Sequence, residues 1–317
     1  MQPSPRYSTL GLSFIGAFVL LSVGLQLPCF SSPAELMSTG QAAPHADSGT
    51  VRLWISALEN NHPVQDLEKD ELKLWVGKEE QNISSLIFEP PVPLVLGLVI
   101  DASGSIKAAW PGPELKLAPD FFQRVLRSGD KAFIVDFSTQ GYVDADPTAD
   151  LAQLTHGLEK VRALHPYGGT ALYDAIATSS DLLKPSAGTR HLLVVVTDGI
   201  DNASRYTQLE ALRVLRLAGT TVCFIGRTPG PPEYTFYTEQ RHHGLDAMHN
   251  FAQATGGLLV LASPGEKAMG RALDRVAEFV RGQYALDFEA GSTISEGDKI
   301  KIKCLRQHVT IVMPERY

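Results

Sequence analysis

The sequence predicts an α/β fold: a doubly wound, mostly parallel sheet covered by helices, with short β-rich segments at both ends. Three observations carry that expectation. Continuous apolar runs of strand length recur along the middle of the 317-residue chain. Segments with apolar residues at helical spacing separate them. Outside that alternation the patterns are short and alternate every second residue. Unbroken apolar strands belong to sheets covered on both faces, and regular strand–helix alternation belongs to parallel topologies.

The elements follow in order. Arg6 is the first charged side chain and Glu35 the next, with the apolar run Leu10 to Leu27 between them. A basic start, an apolar core and the small residues Ser32-Pro33-Ala34 make an export signal cleaved after Ala34. Residues 1–34 are therefore expected to be a signal peptide or, as the run is long enough to span, an uncleaved N-terminal anchor. Lipoprotein processing at Cys29 is a third reading, disfavoured by Pro28. All three place the folded part outside the cytoplasm: secreted, periplasmic or bound to the envelope. Residues 35–49 are small and polar and read as a linker.

Residues 50–92 read as a small β segment, because Val51, Leu53, Ile55 and Ala57 alternate before a turn at Asn60 to Pro63. Pro90, Pro91 and Pro93 end it. The main domain, 93–282, has strands expected at 94–101, 131–138, 191–198, 220–226 and 256–262. Helical stripes are expected around Phe121 to Leu126, Leu151 to Leu164, Ala171 to Leu183, Leu209 to Leu217, Leu245 to Ala254 and Ala268 to Val280. Residues 283–317 return to short strand-like runs and form a C-terminal β segment. An economical arrangement packs the two β segments together beside the α/β domain.

Composition narrows the function. The 28 Lys+Arg against 35 Asp+Glu give a formal charge of −7, and no basic stripe suggests a nucleic-acid partner. The three Cys include no CxxC, and Cys223, in an apolar run, reads as a buried hydrophobe. Whether Cys223 and Cys304 pair stays open at this level. The sequence near His242 and His243 lacks HExxH and reads as a polar loop entering a helix.

In doubly wound sheets, ligands sit outside the carboxyl ends of strands. Two expected strands end in aspartate, giving DASGS from Asp101 to Ser105 and TDGIDN from Thr197 to Asn202. Between them, YGGTALYDAI sets Thr170 after two glycines and before a helix. Asp101, Ser103, Ser105, Thr170 and Asp198 thus make a set of hard oxygen donors on one rim. Such a set suits Mg²⁺, with Mn²⁺ or Ca²⁺ as other candidates. Asp201 and Asn202 are candidates to support that set, and Asp174 either orients the Thr170 loop or caps its helix.

DxSxS after the first buried strand, a GGT loop and a strand ending in TDG together resemble the von Willebrand factor A domain, over residues 93–282. The resemblance implies a metal-ion-dependent adhesion site at Asp101, Ser103, Ser105, Thr170 and Asp198. It also implies a protein partner whose Asp or Glu completes the coordination. With its flanks, the chain looks like the exported bacterial "VWFA-related" proteins typical of Acidobacteria. No enzymatic role is expected: Asp101 has no second acid two residues on, Ser103 lacks the GxSxG elbow, and there is no GxxxxGK[ST]. Two alternatives stand beside metal-dependent adhesion. One is a non-catalytic subunit or regulator of an envelope or secreted enzyme complex, and the other a structural envelope protein with a vestigial metal site.

Overall fold

A computed structural model describes residues 49–183, 188–227, 235–289 and 297–316. The expected signal or anchor (1–34) and nearly all of the linker lie outside the described residues. Among the described residues no helix is long and apolar enough to cross a membrane.

The central sheet has six strands: β6 (Leu94–Asp101), β7 (Lys131–Phe137), β8 (Gly141–Thr148), β9 (Arg190–Thr197), β10 (Thr220–Arg227) and β11 (Leu259–Ala262). Their spatial order is β11-β10-β9-β6-β7-β8. Five run parallel, but β8 pairs antiparallel with β7, so the sheet is mixed. This strand is missing from the sequence expectation because its segment, GYVDADPT, carries acids and a proline instead of an apolar run. An edge strand tolerates both, since one side of its ladder is unpaired.

Helices cover both faces. The α1 (Pro113–Val125), α2 (Leu151–Arg162) and α6 (Glu266–Arg281) helices bury apolar residues on one face, with Phe121, Leu158 and Phe279 among them. The α3 (Leu172–Leu182), α4 (Gln208–Leu217) and α5 (Thr235–Ala254) helices cover the other with Ile176, Leu215 and Phe251. Start signals are local. Pro113 opens α1 with the φ a first helical turn requires. Asp150 caps α2 by accepting the Ala152 N–H at 2.8 Å, and Thr207 with Glu210 forms a capping box on α4. The α5 helix begins ten residues before the apolar stripe does, which places His242 and His243 on a helix and not in the expected loop.

The flanking segments fold as one β structure. β1 (Thr50–Glu59) lies between β12 (Gln283–Glu289) and β14 (Val309–Val312), while β5 (Ile83–Phe88) pairs with β12 and β2 (His62–Pro63) with β1. A second sheet orders β13 (Ile300–Cys304), β3 (Leu72–Val76) and β4 (Glu79–Gln81). Together they enclose a separate apolar core around Ile55, Leu74, Leu286 and Phe288. Arg52 clamps Asp287 across β1 and β12 with two bonds of 2.7 and 2.8 Å. The α6 helix runs almost directly into β12, so the flank is continuous with the central domain. Cys223 in β10 and Cys304 in β13 are free thiols, and burial pushes Cys223 up to about 12.

Candidate metal site

The order of strands determines where a site forms. From β6 the chain moves outward to β7 and β8, then returns to β9 on the other side of β6 and continues to β10 and β11. The connections therefore diverge at the carboxyl ends of β6 and β9, and a crevice opens there. Asp101 is the last residue of β6, and Asp198 immediately follows β9. The two aspartates that the sequence singled out thus stand on neighbouring strands at the switch point.

Asp101 is 1% exposed. Its Oδ1 accepts the Ser103 backbone N–H at 2.9 Å, and its Oδ2 accepts the Thr197 hydroxyl at 2.7 Å. Burial pushes the Asp101 carboxyl up to about 6; the charge of Asp198 pushes the same way, and the bonds from Ser103 and Thr197 oppose both. Neither aspartate has a Lys or Arg ion-pair partner among the described residues. Ser103 is fully buried and Ser105 exposed, yet their hydroxyls lie 3.1 Å apart across the short 3₁₀ turn Gly104–Ala109. That turn folds both hydroxyls beside the strand end.

Thr170 arrives on a second loop, tied to the first by a hydrogen bond of 3.2 Å from the Gly104 N–H to the Gly168 carbonyl. Gly104 allows that approach, because a Cβ there would meet the Gly168 oxygen at 3.1 Å. Gly168 has φ +82°, a conformation that favours glycine. Gly169 sits where a Cβ would come within 2.7 Å of Asn202 Oδ1. The end of β7 knits the loops further: the Phe137 carbonyl accepts the Ala102 N–H and the Ser138 carbonyl the Ala171 N–H, both at 2.7 Å. Thr170 itself is 2% exposed. Its side chain makes no direct hydrogen bond to the other four candidates among the described residues, so its place at the rim comes from its loop.

The residues after Asp198 support this arrangement. Asn202 Oδ1 accepts the Thr170 N–H at 2.7 Å, and the Asn202 N–H donates back to the Thr170 carbonyl at 2.9 Å. Asp201 accepts the Tyr173 N–H at 3.0 Å, at the start of α3, and the Ser204 hydroxyl. Asp174 Oδ1 takes the N–H groups of Arg205 and Tyr206, each at 2.8 Å. It therefore orients the 201–206 loop and does not cap its own helix. Thr197 was outside the candidate set, although it grips Asp101 directly; its place before the second aspartate was the available signal.

The chemistry of these donors fits a hard divalent cation. They offer two neighbouring carboxylates and three hydroxyls, with no Lys or Arg ion-paired to the acids among the described residues. A cation that takes few carboxylates and keeps several waters suits such a set. No group of three or more His, Cys, Asp or Glu side chains comes together among the described residues, so softer N/S-ligand sites have no counterpart there.

Comparison with known proteins agrees with the fold. Residues 96–200 match the von Willebrand factor type A domain model. No curated protein matches the chain by sequence. Among solved structures, proximal thread matrix protein 1 from the mussel byssus, with a zinc-occupied MIDAS motif, superposes with TM-score 0.51 at 16% identity. That alignment covers 66% of this chain and 50% of the mussel protein, so this chain spans about half of it. An aerotolerance-related membrane protein from Bacteroides fragilis aligns at 17% identity and TM-score 0.43, over 59% of this chain and 99% of that one. The vWF domain of the type V pili tip protein Mfa5 from Porphyromonas gingivalis aligns at 13% identity and TM-score 0.46, over 60% and 95%.

Proposed function

We propose that this chain, which carries a von Willebrand factor type A domain over residues 96–200, is an exported or membrane-anchored, non-catalytic module that binds Mg²⁺ and captures an acidic side chain of a protein partner. Asp101, Ser103, Ser105, Thr170 and Asp198 would hold the ion. One observation carries the reading: a buried aspartate beside a second one, with two hydroxyls 3.1 Å apart next to it and no basic ion-pair partner among the described residues. Burying a charge such as that of Asp101 costs several kcal/mol in order of magnitude unless a counter-charge and hydrogen bonds offset it. The mussel protein that shares the fold has a zinc-occupied MIDAS motif, which supports a divalent ion here.

A bound ion would supply a fixed positive charge with open coordination positions, attractive to a carboxylate on an otherwise acidic protein. The chain's own residues do the remaining work. Thr197 and the Ser103 N–H orient the Asp101 carboxylate, while Asn202 and Gly168 hold the Thr170 loop against it. Such rigidity keeps the rim in shape before a partner arrives, which lowers the cost of binding.

Calorimetric titration with Mg²⁺ or Mn²⁺ tests this. The wild-type chain should bind one ion, and Asp101→Ala should lose that binding with its circular dichroism spectrum unchanged. An Asp101→Ala variant that retains wild-type affinity would sink the metal reading.

A further inference from the structure

Beside the candidate metal site lies a groove of about 640 Å³, within the range of pockets that hold small ligands or short peptide segments. Lys107, Trp110, Pro111, Arg162, His165 and Tyr167 line it. None of the five candidate ligands lines the groove, but two of its walls continue into the segments that carry them. The turn that carries Ser105 also carries Lys107, and the loop that carries Thr170 begins with Pro166 and Tyr167. The Gly104 to Gly168 hydrogen bond joins those walls.

The lining runs against the character of the chain. The whole protein carries −7, yet this groove has a lysine, an arginine and a histidine, and no aspartate or glutamate lines it among the described residues. Arg162 is steadied at its edge by the Leu115 carbonyl at 3.4 Å and by an exposed i,i+3 ion pair with Glu159 at 3.8 Å, a contact that surface exposure keeps weak. Lys107 has no carboxylate partner among the described residues. Tyr167 is 71% exposed, a large ring left in water at the mouth. Trp110 is half-buried against the core beside it, and Tyr, Trp and Arg are the residue types enriched at binding interfaces over the rest of a protein surface.

We infer that this groove receives an acidic peptide segment of the protein partner, the stretch of chain adjoining the side chain that reaches the ion. The inference rests on the metal reading for its anchor and adds the neighbouring sequence to what is recognised: further carboxylates facing Lys107 and Arg162, and apolar or aromatic side chains against Trp110 and Tyr167. Complementary charge at such a rim raises selectivity and association rate and makes both dependent on salt.

The test is selection of random phage-displayed peptides on the full chain in Mg²⁺, with Asp101→Ala, Lys107→Gln/Arg162→Gln and an EDTA arm in parallel. Peptides retained by the wild-type chain should carry several carboxylates. Their affinity should fall about tenfold in the double variant, as expected for losing two favourable charges. The double variant should bind Mg²⁺ as the wild type does, since neither residue is a proposed ligand. Retained peptides with a single carboxylate, equal affinity in the double variant, or no retained peptide at all would overturn the groove and leave the metal reading to its own calorimetric test. Retention that persists in EDTA and in Asp101→Ala but is lost in the double variant would show that the groove takes acidic peptides without the ion, which overturns the anchored arrangement and leaves Mg²⁺ binding to its calorimetric test.

Discussion

The Thr197 hydroxyl donates to Asp101 Oδ2 at 2.7 Å and accepts the Gly199 N–H at 3.0 Å, so one side chain of β9 ties the end of β6 to the turn that follows Asp198. The relationship spans the switch point of the sheet. It means that the geometry of the two aspartates depends on a residue that is itself fully buried and contributes no charge.

Thr197→Val should therefore be more damaging than its near-isosteric size suggests. It removes a hydrogen bond to a carboxylate and leaves the Gly199 N–H without its acceptor. A bond to a charged group contributes about 1.5–3 kcal/mol, and the expected loss in urea unfolding is of that order. Thr197→Ser keeps the hydroxyl and should recover most of the loss. Equal stability of the valine variant and the wild-type chain would show that the bond contributes nothing.

Gly199 carries a second expectation. It has φ +83°, and a Cβ there would lie 2.5 Å from the Gly244 carbonyl oxygen and 2.8 Å from Met248 Cε. Two glycines thus let α5 press against the turn that presents Asp198. Gly199→Ala meets both a left-handed backbone and an immovable carbonyl, and should cost at least about 1–3 kcal/mol. Since the turn would have to move, Mg²⁺ affinity should fall with it, read by the same calorimetric titration. An alanine variant with wild-type stability and affinity would contradict this packing.

Much of this arrangement was readable in advance, and the failures share a cause. The apolar runs at 94–101 and 191–198 identified two central strands because burial on both faces leaves no polar alternation to confuse the pattern. Aspartates closing those runs marked the rim. By contrast β8 is an edge strand whose Tyr142, Asp144 and Asp146 alternate weakly, and the first half of α5 has no apolar stripe. The hydroxyl of Thr197, the Gly199–Gly244 contact and the pairing of β1 with β12 join residues far apart in the chain. Local pattern contains no record of such contacts, and the meeting of the two β flanks was expected only as the economical arrangement.

A pH effect follows from Asp136 on β7 and Asp144 on β8, whose carboxyls share a hydrogen bond. Burial, then the charge of Asp144, pushes Asp136 up to about 8; burial raises Asp144 to about 6 against the bond from Asp136 and the charge of Lys160. A raised carboxyl pKa means that the folded state holds a proton the unfolded chain has released. The folded state is thus penalised above about pH 8, and that penalty is lifted as pH falls through the folded value towards the unfolded one. Stability should rise from pH 8 to pH 6, by at most about 1.4 kcal/mol per pH unit for one proton. Asp136→Asn, which donates to Asp144 without titrating, should flatten the slope and be the more stable chain at pH 8. A wild-type stability that is level or rising with pH over this range would refute the assignment.

The last expectation concerns the ion pair of Glu114 and Arg227, which fastens the first turn of α1 to the end of β10 on the same rim as the candidate site. Glu114 is fully buried and the Arg227 side chain only 12% exposed, so the carboxylate has no water to fall back on and the guanidinium little. Removing one member strands the other, and the cost of an uncompensated buried charge is about 3–5 kcal/mol. Arg227→Met should approach that loss, since it keeps the bulk of the stem but not the charge. The double variant Glu114→Gln/Arg227→Met should regain a large part of it, because the penalty comes from the isolated carboxylate more than from the lost attraction. Urea denaturation of the three chains reads the pattern directly. A double variant no better than Arg227→Met would mean that packing around the guanidinium, and not the stranded charge, sets the cost.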